Sequence, residues 1–121
     1  MKRLKDMNKP RETDIRKDIQ RYLDAKGIFN WRQWQGQFSV RGIPDISGIL
    51  PGSGRAIGIE VKLPGWKPNP DNKHYQEQAK FIRNINLSNG IAFFATSVQD
   101  VDDKLRLYER ADRLIDLVRK L

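Results

Sequence analysis

The stretch Asp45-Ile46-Ser47-Gly48-Ile49-Leu50-Pro51-Gly52-Ser53-Gly54-Arg55-Ala56-Ile57-Gly58-Ile59-Glu60-Val61-Lys62 decides how this chain is read. Two β-prone runs, Asp45 to Leu50 and Arg55 to Lys62, flank Pro51-Gly52-Ser53-Gly54, and a turn of that composition implies an antiparallel hairpin. With a four-residue loop, Leu50 faces Arg55, Ile46 faces Ile59 and Asp45 faces Glu60. Ile46, Ile57, Ile59 and Val61 then share one apolar face, so the alternation supports the same register from independent residues. Asp45, Glu60 and Lys62 share the other face, because side chains two apart on a strand project to the same side. Directly opposed side chains stand ~4.5–5.5 Å apart at Cβ, where like charges repel, and a cation between the carboxylates would remove that penalty. Ala56 and Gly58 on this face are small enough to leave room for a ligand.

Outward from the hairpin, Pro10 to Lys26 reads as a helix, with Ile15, Ile19, Tyr22 and Leu23 on one stripe and Gly27 as its stop. Glu12 falls on that stripe too. It either turns inward to meet a cation or points to water at the helix N-terminus, and both readings stay open. Ile28 to Trp34 reads as a first strand, followed by a loop punctuated by Gly36 and Gly42. After a Pro-rich loop from Leu63 to Asp71, a helix runs from about Tyr75 to Leu87 with Gln78, Phe81, Ile82 and Ile85 inward, ended by Asn89-Gly90. Ile91 to Thr96 is a short apolar run fit for a strand covered on both faces. Ser97 can cap a last helix whose stripe continues through Val101, Leu105, Tyr108, Ala111, Leu114, Ile115 and Val118. The order αβββαβα places the chain in the α/β class: a single domain over residues 1–121, a mixed four-stranded sheet flanked by helices, with residues 1–9 as a basic flexible lead-in.

The 121 residues carry 23 Lys+Arg against 15 Asp+Glu, a formal charge of +8, which favours polyanionic partners and nucleic acid first. The excess is spread: 10 basic against 5 acidic groups over residues 1–40, 7 against 4 over 41–99, and 6 against 6 over 100–121. Without cysteine and with one histidine, a disulfide framework, a thiolate metal site and a cysteine nucleophile are excluded and a zinc cluster is disfavoured. Any metal has to be held by carboxylates. No apolar run approaches the ~20 residues of a membrane span, and no signal core follows Met1-Lys2-Arg3-Leu4-Lys5, so the expectation is a cytoplasmic protein without a membrane partner.

Two acids and an ammonium at one end of a hairpin suit Mg²⁺ or Mn²⁺, which prefer hard oxygen ligands. Such an ion acts as a Lewis acid on a phosphate oxygen and acidifies a bound water. Lys62 could orient or deprotonate that water, or steady charge on a pentavalent phosphorus, which points to phosphodiester hydrolysis. The alternative is a hairpin that alternates charge for solubility within a non-catalytic basic nucleic-acid-binding module. Trp31 and Trp34 are expected in the core, whereas Trp66, between Gly65 and Lys67 in a polar loop, is a candidate for nucleic-acid contact. Arg41 and Lys67 are placed as phosphate contacts or as solvated charges. His74, at the approach to a helix, is expected in a surface or capping role rather than as a general base.

Gly42-Ile43-Pro44-Asp45-Ile46 followed by Ile59-Glu60-Val61-Lys62 resembles the Gly-x-Pro-Asp and Glu-Val-Lys segments of VRR-NUC (virus-type replication-repair nuclease) domains, a branch of the PD-(D/E)XK nuclease superfamily. Glu12, at the head of a helix ending in Ala25-Lys26-Gly27-Ile28, looks like that family's first-helix acid, and Gln78 followed by Phe81 looks like its second-helix glutamine motif. The resemblance runs from about Glu12 to Leu105. It implies a restriction-endonuclease-like core and a Mg²⁺- or Mn²⁺-dependent deoxyribonuclease, structure-selective on branched or four-way DNA, in a bacterial or phage-infected cell. By similarity Asp45, Glu60 and the Val61 carbonyl would hold the metal, Lys62 would serve catalysis, and Gln78 and Glu12 would support the site. Asp14 competes with Glu12 for its role. Duplex or branched DNA is the expected substrate, with RNA left open, and the distal half of the last helix, Ala111 to Leu121, is the expected contact of a homodimer supplying the second cut.

Overall fold

Residues 9–37 and 39–121 are described by the computed structural model, so the lead-in read over residues 1–9 lies, Lys9 apart, outside the described residues. The elements follow the expected order: α1 (Glu12–Ala25), β1 (Phe29–Arg32), β2 (Ile46–Ile49), β3 (Ala56–Val61), α2 (Lys73–Leu87), β4 (Ile91–Ala95) and α3 (Val98–Arg119). Local chemistry sets their ends. Gly27 sits at φ +72, the left-handed conformation that stops α1. Asn72 accepts the Tyr75 N–H at 2.9 Å and thereby starts α2 at Lys73, two residues ahead of the sequence expectation. Ser97 caps α3 by accepting the Asp100 N–H at 3.1 Å.

The strands form one sheet in the order β1-β2-β3-β4. β1 pairs antiparallel with β2, and β2 with β3, in the register read from the sequence: Ile46 opposite Ile59, Ser47 opposite Gly58, Ile49 opposite Ala56. β3 and β4 are parallel, with α2 as the crossover between them. One face of the sheet is covered by α1 and α3. There Ile15, Ile19 and Leu23 of α1 and Val101 and Leu105 of α3 close on Ile46, Ile57, Ile59, Val61, Ile91, Phe93 and Ala95. Each such buried aliphatic side chain contributes about 1.5–3 kcal/mol. Polar ties at the rim hold the layer: the Tyr22 hydroxyl donates to Asp102 at 2.5 Å, and Arg55 pairs with Asp112 at 2.7 Å, joining the hairpin to α3.

α2 covers the other face, and here two expectations are corrected. The space above Gly58 is not ligand space: a Cβ there would stand 2.9 Å from Ile85 Cδ1 and 3.1 Å from Pro44 Cγ, so the missing side chain lets α2 seat on the sheet. Trp31 and Trp34 are not in the core. β1 is an edge strand that α2 does not overlie, so Trp31 is 39% exposed with Phe29 as its ring neighbour at 5.2 Å, and Trp34 is 63% exposed in the following loop. Beyond Tyr108 the outer side of α3 leaves the core, with Leu114, Leu117 and Val118 exposed. Among the described residues no helix is long and apolar enough to cross a membrane.

Candidate active site

The hairpin register carries Asp45, the residue before β2, to a position opposite Glu60 near the end of β3. Both acids are gripped, in different ways. Asp45 accepts the Val61 backbone N–H through Oδ2 at 2.8 Å and the Gln35 side-chain amide through Oδ1 at 3.0 Å. Gln35 also donates to the Ile43 carbonyl at 3.2 Å, which fixes it across the turn leading into Pro44-Asp45. Gly42 makes that turn possible: its φ is +78, and a Cβ on it would stand 2.3 Å from the Glu77 carbonyl oxygen of α2.

Glu60 is only 5% exposed. Its Oε1 accepts the Gln78 amide at 2.9 Å, while its Oε2 is buried without a hydrogen-bond partner. Burial first, and then the negative charge of Asp45, push Glu60 up to about 8, against the pull of the Lys62 ammonium. That ammonium stands 4.0 Å from Glu60 Oε1. It also lies 5.6 Å from the centroid of the Trp66 ring, a cation–π distance. Trp66 is stacked on Phe94 at 4.8 Å and tilted against Tyr75 at 6.0 Å, so the indole expected to meet nucleic acid is half-buried in an aromatic group of the fold and flanks the lysine.

A cleft of about 480 Å³ opens beside Asp45 on the α1 side, lined by Glu12, Thr13, Arg16, Arg32, Gln33, Trp34, Gln35, Asp45 and Val61. Glu12 is exposed and lines this cleft with Asp45, so of its two readings the one that points it to water holds, and the inward one does not. Asp14 does not line it. Hydrogen bonds from the Arg11 side chain and backbone, at 3.3 Å each, engage Asp14 and hold its carboxyl below the usual range. Arg41 stands apart on the α2 side, 3.7 Å from Glu77, and Lys67 is exposed beyond Trp66. Sequence pattern does not single out Arg16, Arg32 or Gln35. Arg16 could have been found one turn after Glu12 on the same face of α1, whereas Gln35 lies in a loop without periodicity and carries no such signal.

Among the described residues no group of three or more His, Cys, Asp or Glu side chains forms a ready metal cage. What is present is a pair of hard carboxylates, one with an unpartnered buried oxygen, and a donor set of that kind fits Mg²⁺ or Mn²⁺.

No family profile and no curated protein matches the sequence. Among solved structures, a chain described as a VRR_NUC domain matches 80% of this chain and 96% of its own length, at a TM-score of 0.59 and 26% identity. The fold is that of a VRR-NUC domain. The resemblance carried by Gly42 to Ile46 and Ile59 to Lys62 thus extends over the helices and the mixed sheet, and the VRR-NUC likeness suggests a nuclease of the PD-(D/E)XK type. In that frame the glycine of Gly-x-Pro-Asp has a physical reason here, since only a residue without Cβ passes under the Glu77 carbonyl.

Proposed function

We propose that this protein is a Mg²⁺- or Mn²⁺-dependent deoxyribonuclease that hydrolyses phosphodiester bonds, selecting branched or four-way DNA over linear duplex. The observation that carries the proposal is the buried Glu60 with its free Oε2, opposite Asp45 and beside the Lys62 ammonium. Asp45, Glu60 and the Val61 carbonyl would hold the ion, which when bound supplies Lewis-acid activation of the scissile phosphate and of water. Lys62, confined between Glu60 and the Trp66 face, stands where an ammonium can steady negative charge developing on phosphorus. Gln35 and Gln78 keep the two carboxylates in place, each by one amide hydrogen bond. Arg16 and Arg32 in the cleft supply cations for flanking phosphates, and Glu12 at its wall repels a misplaced phosphate or supports a water.

The exposed residues Leu107, Ala111, Leu114, Val118 and Leu121 recur at alternating spacings of four and three on α3 and just beyond its end, the pattern of a helix-pairing seam. We assign this seam to a second copy, which would give one assembly two sites for two strands. The double substitution Leu114→Asp with Val118→Asp should then leave a monomer by light scattering.

The decisive experiment is cleavage of linear, flapped and four-way DNA with each metal, using the native protein and Asp45→Ala, Glu60→Ala and Lys62→Ala. Each variant should lose roughly a thousandfold or more in rate while binding DNA nearly as well. Retained cleavage in any one of them removes that residue from the chemistry. Salt-sensitive binding without cleavage by the native protein would replace the nuclease with a binding module.

A further inference from the structure

We propose that His74 is a positioning residue for Glu60, acting through Gln78; the proposal rests on the nuclease reading of this site and deepens it. Gln78 is 4% exposed, and its amide nitrogen has two hydrogens with two partners: Glu60 Oε1 at 2.9 Å and His74 Nε2 at 3.2 Å. The amide oxygen, by contrast, is buried without a partner. The nitrogen end alone is therefore anchored, and Glu60 and the imidazole anchor it together.

The terminal torsion of a glutamine is soft, and exchanging the amide ends would set an oxygen against the oxygen of the ionised Glu60 carboxylate, the form that would bind an ion. A ring nitrogen with a free lone pair works against that exchange. His74 Nε2 must then be the acceptor, which places the ring proton on Nδ1. The two side chains are four apart on α2, the spacing at which helical neighbours meet. The turn that bears the ring is itself held, by the Asn72 cap and by Gln76, which donates to the Pro70 carbonyl at 2.7 Å. The imidazole also lines a second cleft of about 310 Å³, on the α2 side, with Gln35, Arg41 and Gln78.

His74 is the one histidine of the chain, so its ring nitrogens are read without ambiguity by long-range ¹H–¹⁵N NMR of the full-length protein. At pH 9 and without metal, the native protein should show the Nδ1–H tautomer, and Gln78→Ala should release the ring to a tautomer mixture. In cleavage, His74→Ala should lower kcat about tenfold with KM for DNA unchanged, the scale at which outer partners act on metal sites. His74→Gln, which keeps an acceptor at that reach, should restore most of the loss, and His74→Ala should add nothing in a Gln78→Ala background. An Nε2–H tautomer in the native protein, an equal loss in the Gln78→Ala background, or no rescue by glutamine would each overturn the proposal. A native protein that cleaves nothing would defeat the nuclease reading instead, and the NMR result would still decide whether the ring holds the amide.

Discussion

The two faces of the sheet are built from opposite materials. Under α1 and α3 lie aliphatic side chains that fill the layer, among them Ile19, Leu23, Ile46 and Ile59, none with measurable exposure. Under α2 the same strands present Gly58 and Glu60, and the helix answers with Gln78 and Ile85. Two buried polar atoms there, Glu60 Oε2 and Gln78 Oε1, lack partners. A buried polar atom without a partner costs about 1–3 kcal/mol, so the α2 face gives up stability that the α1 and α3 face supplies. The largest test of this division is Ile59→Ala on the apolar face. It should cost about 2–5 kcal/mol in urea unfolding, because the site is sealed and leaves a cavity. A loss below 1 kcal/mol would mean that the layer is looser than its burial indicates.

An effect of opposite sign and comparable size is expected on the polar face. Glu60 ionises at about 8 in the folded chain against an ordinary value of 4.5. Between those values the folded state holds a proton that the unfolded state has released. The contribution of Glu60 is thus fully present below about 4.5 and falls as pH rises to about 8, with a limiting slope of roughly 1.4 kcal/mol per pH unit. Glu60→Gln imitates the protonated acid. Without divalent ions it should match the native protein near pH 4.5 and exceed it by up to about 5 kcal/mol at pH 9. Unfolding curves of the two proteins that run parallel over this range would show that Glu60 is not held as a strained acid.

The contrast also explains what was legible in the sequence. The apolar face announces itself through period: Ile46, Ile57, Ile59 and Val61 alternate, and the register that sets Asp45 opposite Glu60 follows from them. The inward place of Gln78 was readable from the stripe it shares with Ile82. Loop contacts were not readable, because Gln35 reaches Asp45 from ten residues away through a turn that only Gly42 and its positive φ explain. His74 is exposed, as its surface reading expects, but its contact with the Gln78 amide was not readable, because that partner is a side chain rather than a helix end. Trp31 and Trp34 mislead for a related reason. Hydrophobicity predicts burial only where an element lies overhead, and α2 stops short of the edge strand.

Gly58 gives the smallest effect and separates two meanings of a small residue on the polar face. Gly58→Ala puts a methyl 2.9 Å from Ile85 Cδ1, the movable end of a side chain, and 3.1 Å from the ring of Pro44, which is less free. Ile85 can yield, so the stability cost should stay near or below about 1 kcal/mol. Pro44 immediately precedes Asp45, so displacement of its ring reaches the site, and cleavage should fall by more than stability alone would explain. Ile85→Val removes the methyl in conflict. Combined with Gly58→Ala it should recover part of both losses, a coupling between contacting residues that a double-mutant cycle measures. If the space above Gly58 received a ligand instead of α2, shortening Ile85 would rescue nothing, and the losses of the two variants would simply add.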